Sequence, residues 1–154
     1  MDAARFRYLY RQGEGRIDAR EWRRAAWPPA ALALALTIVW LLIAPAPRDL
    51  AHEALIDWGT AAAYAYLLAY AFVLLLCAVA EYFVCAKRFV DRGRPAGLAG
   101  LAPFAIFLAA AAHWYQPRSE GTMPFWLAYV FDAAALGALA WTIAELGFRE
   151  GTKA

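Results

Sequence analysis

Long apolar runs dominate the pattern of hydrophobic and polar positions along this chain. Four of these runs are nearly free of charged residues, and they cover residues 25–44, 59–80, 95–115 and 122–144. Each reaches the length of about 20 residues that a helix needs to cross a bilayer. The pattern therefore predicts an all-α integral membrane protein. It has a four-helix transmembrane bundle over residues 25–147, a head over residues 1–24 and a tail over residues 148–154.

The composition of the whole chain supports a membrane protein. Of its 154 residues, 64% are hydrophobic, whereas soluble domains contain about 45–50% apolar residues. Charged residues make up only 18%, and they cluster outside the four runs. The two cysteines, Cys77 and Cys85, lie near one face of one helix and are too far apart for a disulfide bond. We expect both to act as small apolar packing residues.

The head has the pattern of a basic amphipathic helix. Phe6, Leu9 and Tyr10 recur at helical spacing between arginines. This pattern is typical of a helix that lies on the membrane surface with its cations towards anionic headgroups.

Capping signals mark the helix that leads from the head into the first span. Asp18 is placed to cap its N-terminus. Pro28 and Pro29 are expected near the start of the span itself, because a missing N–H costs nothing at that position.

The distribution of basic residues predicts the orientation. With the N-terminus in the cytoplasm, the cytoplasmic segments hold 13 of the 15 Lys and Arg residues. Only Arg48 and Arg118 fall on the other side. Short loops rich in Lys and Arg stay in the cytoplasm, so we expect both termini there.

The connection between the second and third spans is the first candidate site. Arg88, Asp91 and Arg94 share a face if the second helix continues through them, Gly93 can end that helix, and Pro95 can start the next. One interpretation is an anionic-lipid headgroup site. The other is a structural turn held by an Asp–Arg pair. The candidate residues are Arg16, Arg88, Asp91, Arg92, Gly93 and Arg94.

Asp132 is the second candidate, because it falls near the middle of the fourth span, three positions after Tyr129. An acid at this depth is costly and indicates a proton path, an ion site or a buried ion pair. The alternative is a hydrogen-bonded aspartate that fixes helix packing. The hydroxyl groups of Thr37 and of the tyrosines in the second span are candidate donors.

The fourth span also carries small residues at the spacing by which membrane helices approach one another. These pairs are Ala133–Gly137 and Ala134–Ala138. Small side chains allow close backbone contact in a bilayer, where no hydrophobic drive brings helices together. The partner helix belongs either to this chain or to another protein.

Two stretches resemble motifs of the DUF805 family of small bacterial inner-membrane proteins. They are GRIDAREW, with Gly15, Arg16, Glu21 and Trp22, and KRFVDRGR, with Lys87, Arg88, Asp91, Gly93 and Arg94. FREGT near the end is similar to the Gly-rich tail of the family. The resemblance implies a bacterial inner-membrane location and no established activity. Val90 stands where the family has a histidine, which favours a structural or headgroup-binding turn over a catalytic one.

Signatures of catalysis are missing from the sequence. Ser119 is the only serine, it lies outside any nucleophile motif, and no Gly-rich phosphate loop follows a strand. His52 and His113 are the only histidines and match no metal-ligand spacing. We therefore expect no enzyme activity, no cofactor, no metal and no nucleic-acid partner.

The sequence thus predicts a non-catalytic membrane protein that packs against other integral membrane proteins as an accessory or scaffolding subunit. Its lipid partners are expected to be anionic at the cytoplasmic face. Two alternatives stay open. One is a small transporter or ion-coupled carrier centred on Asp132. The other is a protein that binds or modifies anionic lipid headgroups with its cytoplasmic arginines.

Overall fold

The structure is a computed structural model that describes residues 2–44 and 57–149. Within these residues all regular structure is helical. The α-helices are α1 (Ala3–Arg11), α2 (Ala19–Ile43), α3 (Trp58–Asp91), α4 (Leu101–Tyr115) and α5 (Phe125–Gly147). Two 3₁₀ helices, Ala96–Gly100 and Gln116–Arg118, flank α4.

Four helical segments are long and apolar enough to cross a membrane, which confirms a helical chain with four candidate spans. They are α2, α3, the segment Ala96–Arg118 around α4, and α5. Two of them are much longer than predicted, because α2 begins at Ala19 and α3 continues to Asp91. With 34 residues, α3 is about 51 Å long. The hydrocarbon core of a bilayer is only about 30 Å thick, so α3 extends well beyond it.

Aspartates cap the first turns of α2 and α3. The predicted cap at Asp18 is present, because its carboxylate accepts a hydrogen bond from the N–H of Glu21 at 2.6 Å. Asp57 accepts hydrogen bonds from Gly59 and Thr60 at 3.2 and 2.9 Å. His52, one of the two histidines, lies outside the described residues.

The prolines of α2 lie inside the helix rather than at its start, so their predicted position was wrong. A proline lacks the N–H that would bond to the carbonyl four residues earlier. For Pro29 this carbonyl belongs to Ala25, and the hydroxyl of Tyr10 donates to it at 2.8 Å. The hydroxyl of Tyr10 in α1 thus replaces the backbone N–H that Pro29 lacks.

The spans pack in two pairs, α2 along α3 and α4 along α5. Between α2 and α3, the hydroxyls of Thr37 and Tyr70 lie 2.9 Å apart, and the Trp40 ring stacks on Tyr70. Tyr66 also donates to the carbonyl of Leu36 at 2.8 Å. Along α4 and the first half of α5, every buried residue is an alanine: Ala102, Ala109, Ala112, Ala128 and Ala135.

The hydrophobic core lies at one end of the bundle, not along the spans. It joins α1, the first turns of α2, the last turns of α3, the 3₁₀ helix Ala96–Gly100 and the last turn of α5. By contrast, only 6–22% of the most apolar stretch of each span is buried. Every described Lys and Arg except Arg118 belongs to the same end, which we call the basic end.

Candidate functional site

The charged turn after α3 has the shape that the sequence predicts. Arg92 follows the last residue of the helix, and Gly93 has a φ of 68°, a left-handed conformation that glycine adopts without strain. The N–H groups of Gly93 and Arg94 close the turn on the carbonyls of Val90 and Phe89, at 3.0 and 2.8 Å. Arg94 therefore lies beyond the helix, so the condition under which it would share a face with Arg88 is not met.

Lys87 lies at the centre of the basic end, with none of its surface exposed. Its Nζ donates to the carbonyl of Leu9 at 3.1 Å and to that of Gln12. The last carbonyls of a helix have no partner within it, and a cation at that end also interacts favourably with the helix dipole. Lys87 thus caps the C-terminus of α1.

Arg88 performs the same role for α5 and is only 1% exposed. Its Nε donates to the carbonyl of Leu146 at 3.0 Å, and its terminal nitrogens contact Asp91 and the carbonyl of Arg149. Arg23 of α2 adds a hydrogen bond to the carbonyl of Gly147 at 2.6 Å. Because these contacts occupy all parts of its guanidinium, the geometry favours the structural role for Arg88 over headgroup binding.

Glu145 organises the remaining arginines, and the sequence analysis missed it. Its side chain is only 4% exposed, and its Oε1 lies 3.0 Å from Arg92 and 4.0 Å from Arg94. Its Oε2 lies 2.8 Å from Arg149. The signal was its position in the last turn of α5, where a carboxylate needs cations to balance the negative end of the helix dipole.

The stretch GRIDAREW contacts the ends of α3 and α5 through Trp22. The indole N–H of Trp22 points to the sulfur of Cys85 at 3.4 Å. An added Cβ at Gly147 would lie 3.3 Å from the Trp22 ring, so α2 and α5 approach closely here. Both cysteines are free and buried, as expected.

Gly15 shapes the segment between α1 and α2. Its φ is 115°, and a Cβ at this position would collide with the Tyr8 ring. The Tyr8 hydroxyl donates to the carbonyl of Arg16 at 2.9 Å. The Arg16 side chain is exposed. Among described residues, Arg16 contacts Tyr8 through its backbone carbonyl.

Comparisons with protein-family models, curated proteins and solved structures find no match. The likeness to the DUF805 family therefore stays a prediction. The two stretches that suggested it nevertheless come together, because Trp22 contacts Cys85 just before KRFVDRGR. The start of FREGT joins them through the carbonyl of Arg149.

Asp132 has a partner that the sequence analysis did not pair with it. Both of its carboxylate oxygens lie near Nε2 of His113, at 3.0 and 2.9 Å. The side chains are 53% exposed for His113 and 36% exposed for Asp132. Thr37 and Tyr70 bond to each other instead. Asp132 is seven positions after Phe125, which begins α5, so it lies about 10 Å into the helix.

The predicted packing residues of α5 lie on the outside of the bundle. Ala133, Ala134 and Gly137 are exposed, and Ala138 is half-buried. A Cβ at Gly137 would meet nothing within 4 Å. Tyr129 is also exposed and contacts the ring of Phe125. These residues therefore do not join α5 to another described helix.

Glu81 is a further acid on a spanning helix, α3. Its Oε1 is buried and makes no hydrogen bond to a described residue. Burial, together with the Glu81 carboxylate nearby, raises the pKa of Tyr10. The Tyr10 phenol thus stays protonated and able to donate to Ala25.

Among described residues, no group of three His, Cys, Asp or Glu side chains is arranged to hold a metal ion.

Proposed function

We propose that this protein is a non-catalytic accessory or scaffolding subunit of the bacterial inner membrane, which binds a helix of another membrane protein. The observation that carries the proposal is the His113–Asp132 pair, because it lies on the outward surface of two spanning helices. The binding surface, here called the α5 face, consists of Asp132, Ala133 and Gly137 with His113 beside them.

The energetics of the bilayer favour a protein partner on the α5 face. Ionisable side chains within spans are costly and normally point into a bundle or a water-filled cavity. His113 and Asp132 instead remain substantially exposed in this chain. A partner helix that offers a hydroxyl or amide group would shield the pair from lipid and satisfy its remaining hydrogen-bonding capacity.

The shape of the α5 face suits a closely packed helix. Ala133 and Gly137 lie one turn apart and are exposed, and the space over Gly137 is open. Small residues at this spacing let two backbones approach each other. The face therefore combines a polar contact with close backbone contact, the two interactions that associate helices within membranes.

The basic end supports a cytoplasmic position for both termini. Its arginines and Lys87 contrast with Arg118, the one described Lys or Arg at the opposite end. Such a bias favours a cytoplasmic position for the basic end. In this orientation α1 lies at the membrane surface, anchored by buried Leu9 and with Phe6 exposed towards lipid.

The contacts of the most buried charges favour a structural function over a catalytic one. Lys87 and Arg88 cap two helices, and Glu145 neutralises the arginines around it. These groups hold elements of the chain together.

Photo-crosslinking in cells tests the proposal. A photoreactive amino acid at Ala133 should give one discrete adduct with another membrane protein. The same residue at Leu68, an exposed position on α3, should give none. Gly137→Leu should abolish the adduct, because it fills the open space without touching this chain. Ala69→Leu on α3 is the matched control and should leave the adduct unchanged.

The other outcomes would contradict the accessory role. An adduct with twice the mass of the chain would show that the α5 face binds a second copy. Equal crosslinking from Ala133 and Leu68, unaffected by Gly137→Leu, would show that the face contacts only lipid.

A further inference from the structure

A groove between α1 and the first turns of α2 is separate from the α5 face and from the Glu145 cluster. Its volume is about 370 Å³, within the range of small-molecule sites, about 300–1,000 Å³. Arginines and acids line its rim, while Leu9, Tyr10, Ala25 and Pro28 supply a largely apolar floor. The groove therefore offers polar and apolar surface side by side.

The charges at the rim are not equivalent. Arg5 pairs with Glu21, and Asp18 is occupied as the cap of α2. Arg20 and Arg24 are exposed and form no ion pair with a described residue. They are four positions apart on α2 and thus lie on one side of the helix, one turn apart. Their positive charge remains available to a ligand.

The position of the groove relative to the bilayer narrows the choice of ligand. Trp27 lies on α2 between the groove residues Ala25 and Pro28, and it is 71% exposed. An exposed tryptophan at the end of a span prefers the headgroup region. At about 1.5 Å per residue, Arg24 and Arg20 lie roughly 5 and 10 Å further from the membrane centre. The arginines are then level with phosphate groups, and Pro28 is level with the upper acyl chains.

We propose that the groove between α1 and α2 binds the phosphate-bearing headgroup of an anionic membrane lipid. Arg20 and Arg24 donate charge-assisted hydrogen bonds to the phosphate oxygens. Leu9, Ala25 and Pro28 contact the glycerol and the first methylene groups. Because Leu9 and Tyr10 belong to α1, the bound lipid bridges the head and the first span. The proposal does not depend on a partner at the α5 face.

Native mass spectrometry of the full chain in mild detergent tests the site with equal amounts of phosphatidylglycerol and phosphatidylcholine. We expect the wild type to retain phosphatidylglycerol preferentially. Arg20→Gln with Arg24→Gln should weaken retention by about 30-fold, if each cation contributes as near an anionic surface. The matched control is Arg7→Gln with Arg11→Gln, which removes the same charge from exposed positions outside the groove. We expect the control to retain the lipid as the wild type does.

Equal losses in both double variants would overturn the proposal, because they would reduce the effect to overall charge. The arginines are exposed, so both variants should unfold at the temperature of the wild type. A readout that needs no variant is the adduct of a phosphatidylglycerol with a photoreactive headgroup. Adducts within residues 5–28 support the site, and adducts spread evenly over the four spans overturn it.

Inorganic phosphate carries the same anionic group as the lipid headgroup, so it is tested separately as a competitor. Displacement of bound phosphatidylglycerol by inorganic phosphate at millimolar concentration would overturn the assignment to a lipid and indicate a free anion. Retention of the lipid under the same conditions supports the apolar floor as part of the site.

Discussion

The basic end and the spans of this protein are held together in different ways. At the basic end, buried charged side chains cap helices from other parts of the chain, as Lys87 and Arg88 do. Within the spans, little of the apolar surface is buried, and the buried residues of α4 are alanines. One region is a dense core with long-range polar contacts, and the other leaves most of its apolar surface outside.

The difference reflects the solvent on each side. In water, burial of apolar surface drives the packing of the basic end. A backbone carbonyl buried in the hydrophobic core of this end needs a hydrogen-bond partner. In lipid, helices satisfy their own backbone groups, and apolar side chains gain little by leaving the lipid for one another. Substitutions should therefore have large effects at the basic end and small effects in the spans.

Arg88→Met should have the largest effect. It leaves Asp91 and the carbonyls of Leu146 and Arg149 without their donor. Removal of one partner of a buried pair costs about 3–5 kcal/mol. Detergent-induced unfolding, followed by labelling of the buried thiols Cys77 and Cys85, measures the free energy.

The control for Arg88→Met is Arg94→Ala, whose side chain is 56% exposed. It should change the free energy of unfolding by about 0–1 kcal/mol. An equal cost for both variants would contradict the special role of the buried arginine.

Lys87→Met should release α1 while the spans remain folded. The variant removes the donor to the carbonyls of Leu9 and Gln12, at an expected cost of about 1–3 kcal/mol. Hydrogen exchange of the α1 amides should accelerate, with no change in the amides of α4. Unchanged protection of α1 would show that the capping bond is dispensable.

Tyr10→Phe should cost about 1 kcal/mol, because Ala25 loses the hydroxyl that replaces a backbone donor. Pro29→Ala restores an N–H at the position that bonds to Ala25. In the Pro29→Ala background, Tyr10→Phe should therefore cost less. A double-mutant cycle on the free energy of unfolding measures this coupling. Strictly additive costs would contradict the idea that the Tyr10 hydroxyl replaces the missing N–H of Pro29.

The smallest effect on folding is expected in the spans. Thr37→Val and Asp132→Ala each remove one polar contact between helices, and such contacts average about 0.6 kcal/mol. Asp132→Ala should nevertheless remove the adduct at the α5 face, whereas Thr37→Val should leave it intact. Loss of the adduct in both variants would place the cause in folding and not at the face.

The sequence predicted the parts of the fold that depend on local pattern. Apolar runs gave the four candidate spans, Asp18 gave a cap, and Gly93 gave the turn. Long-range contacts were less accessible. Neither the donation from Tyr10 to Ala25 nor the pairing of Asp132 with His113 has a local signature.

The candidate site was only partly predictable for the same reason. The sequence singled out Arg88 and Asp91, which pair one turn apart on a helix. It missed Glu145, because two of its three arginine partners, Arg92 and Arg94, lie more than 50 positions earlier. Charge alone also suggested that Arg88 was available to a ligand, whereas burial shows that it is occupied.

The position of Lys87 has a consequence for biosynthesis. It holds the end of α1 through a residue that lies 78 positions before it, at Leu9. The head therefore leaves the ribosome long before its cap is synthesised, and it stays unlocked while α2 inserts. Emergence of the end of α3 completes the dock, and Arg88, the very next residue, then waits for α5. Two consecutive residues thus complete the docking of α1 and, later in synthesis, the docking of α5.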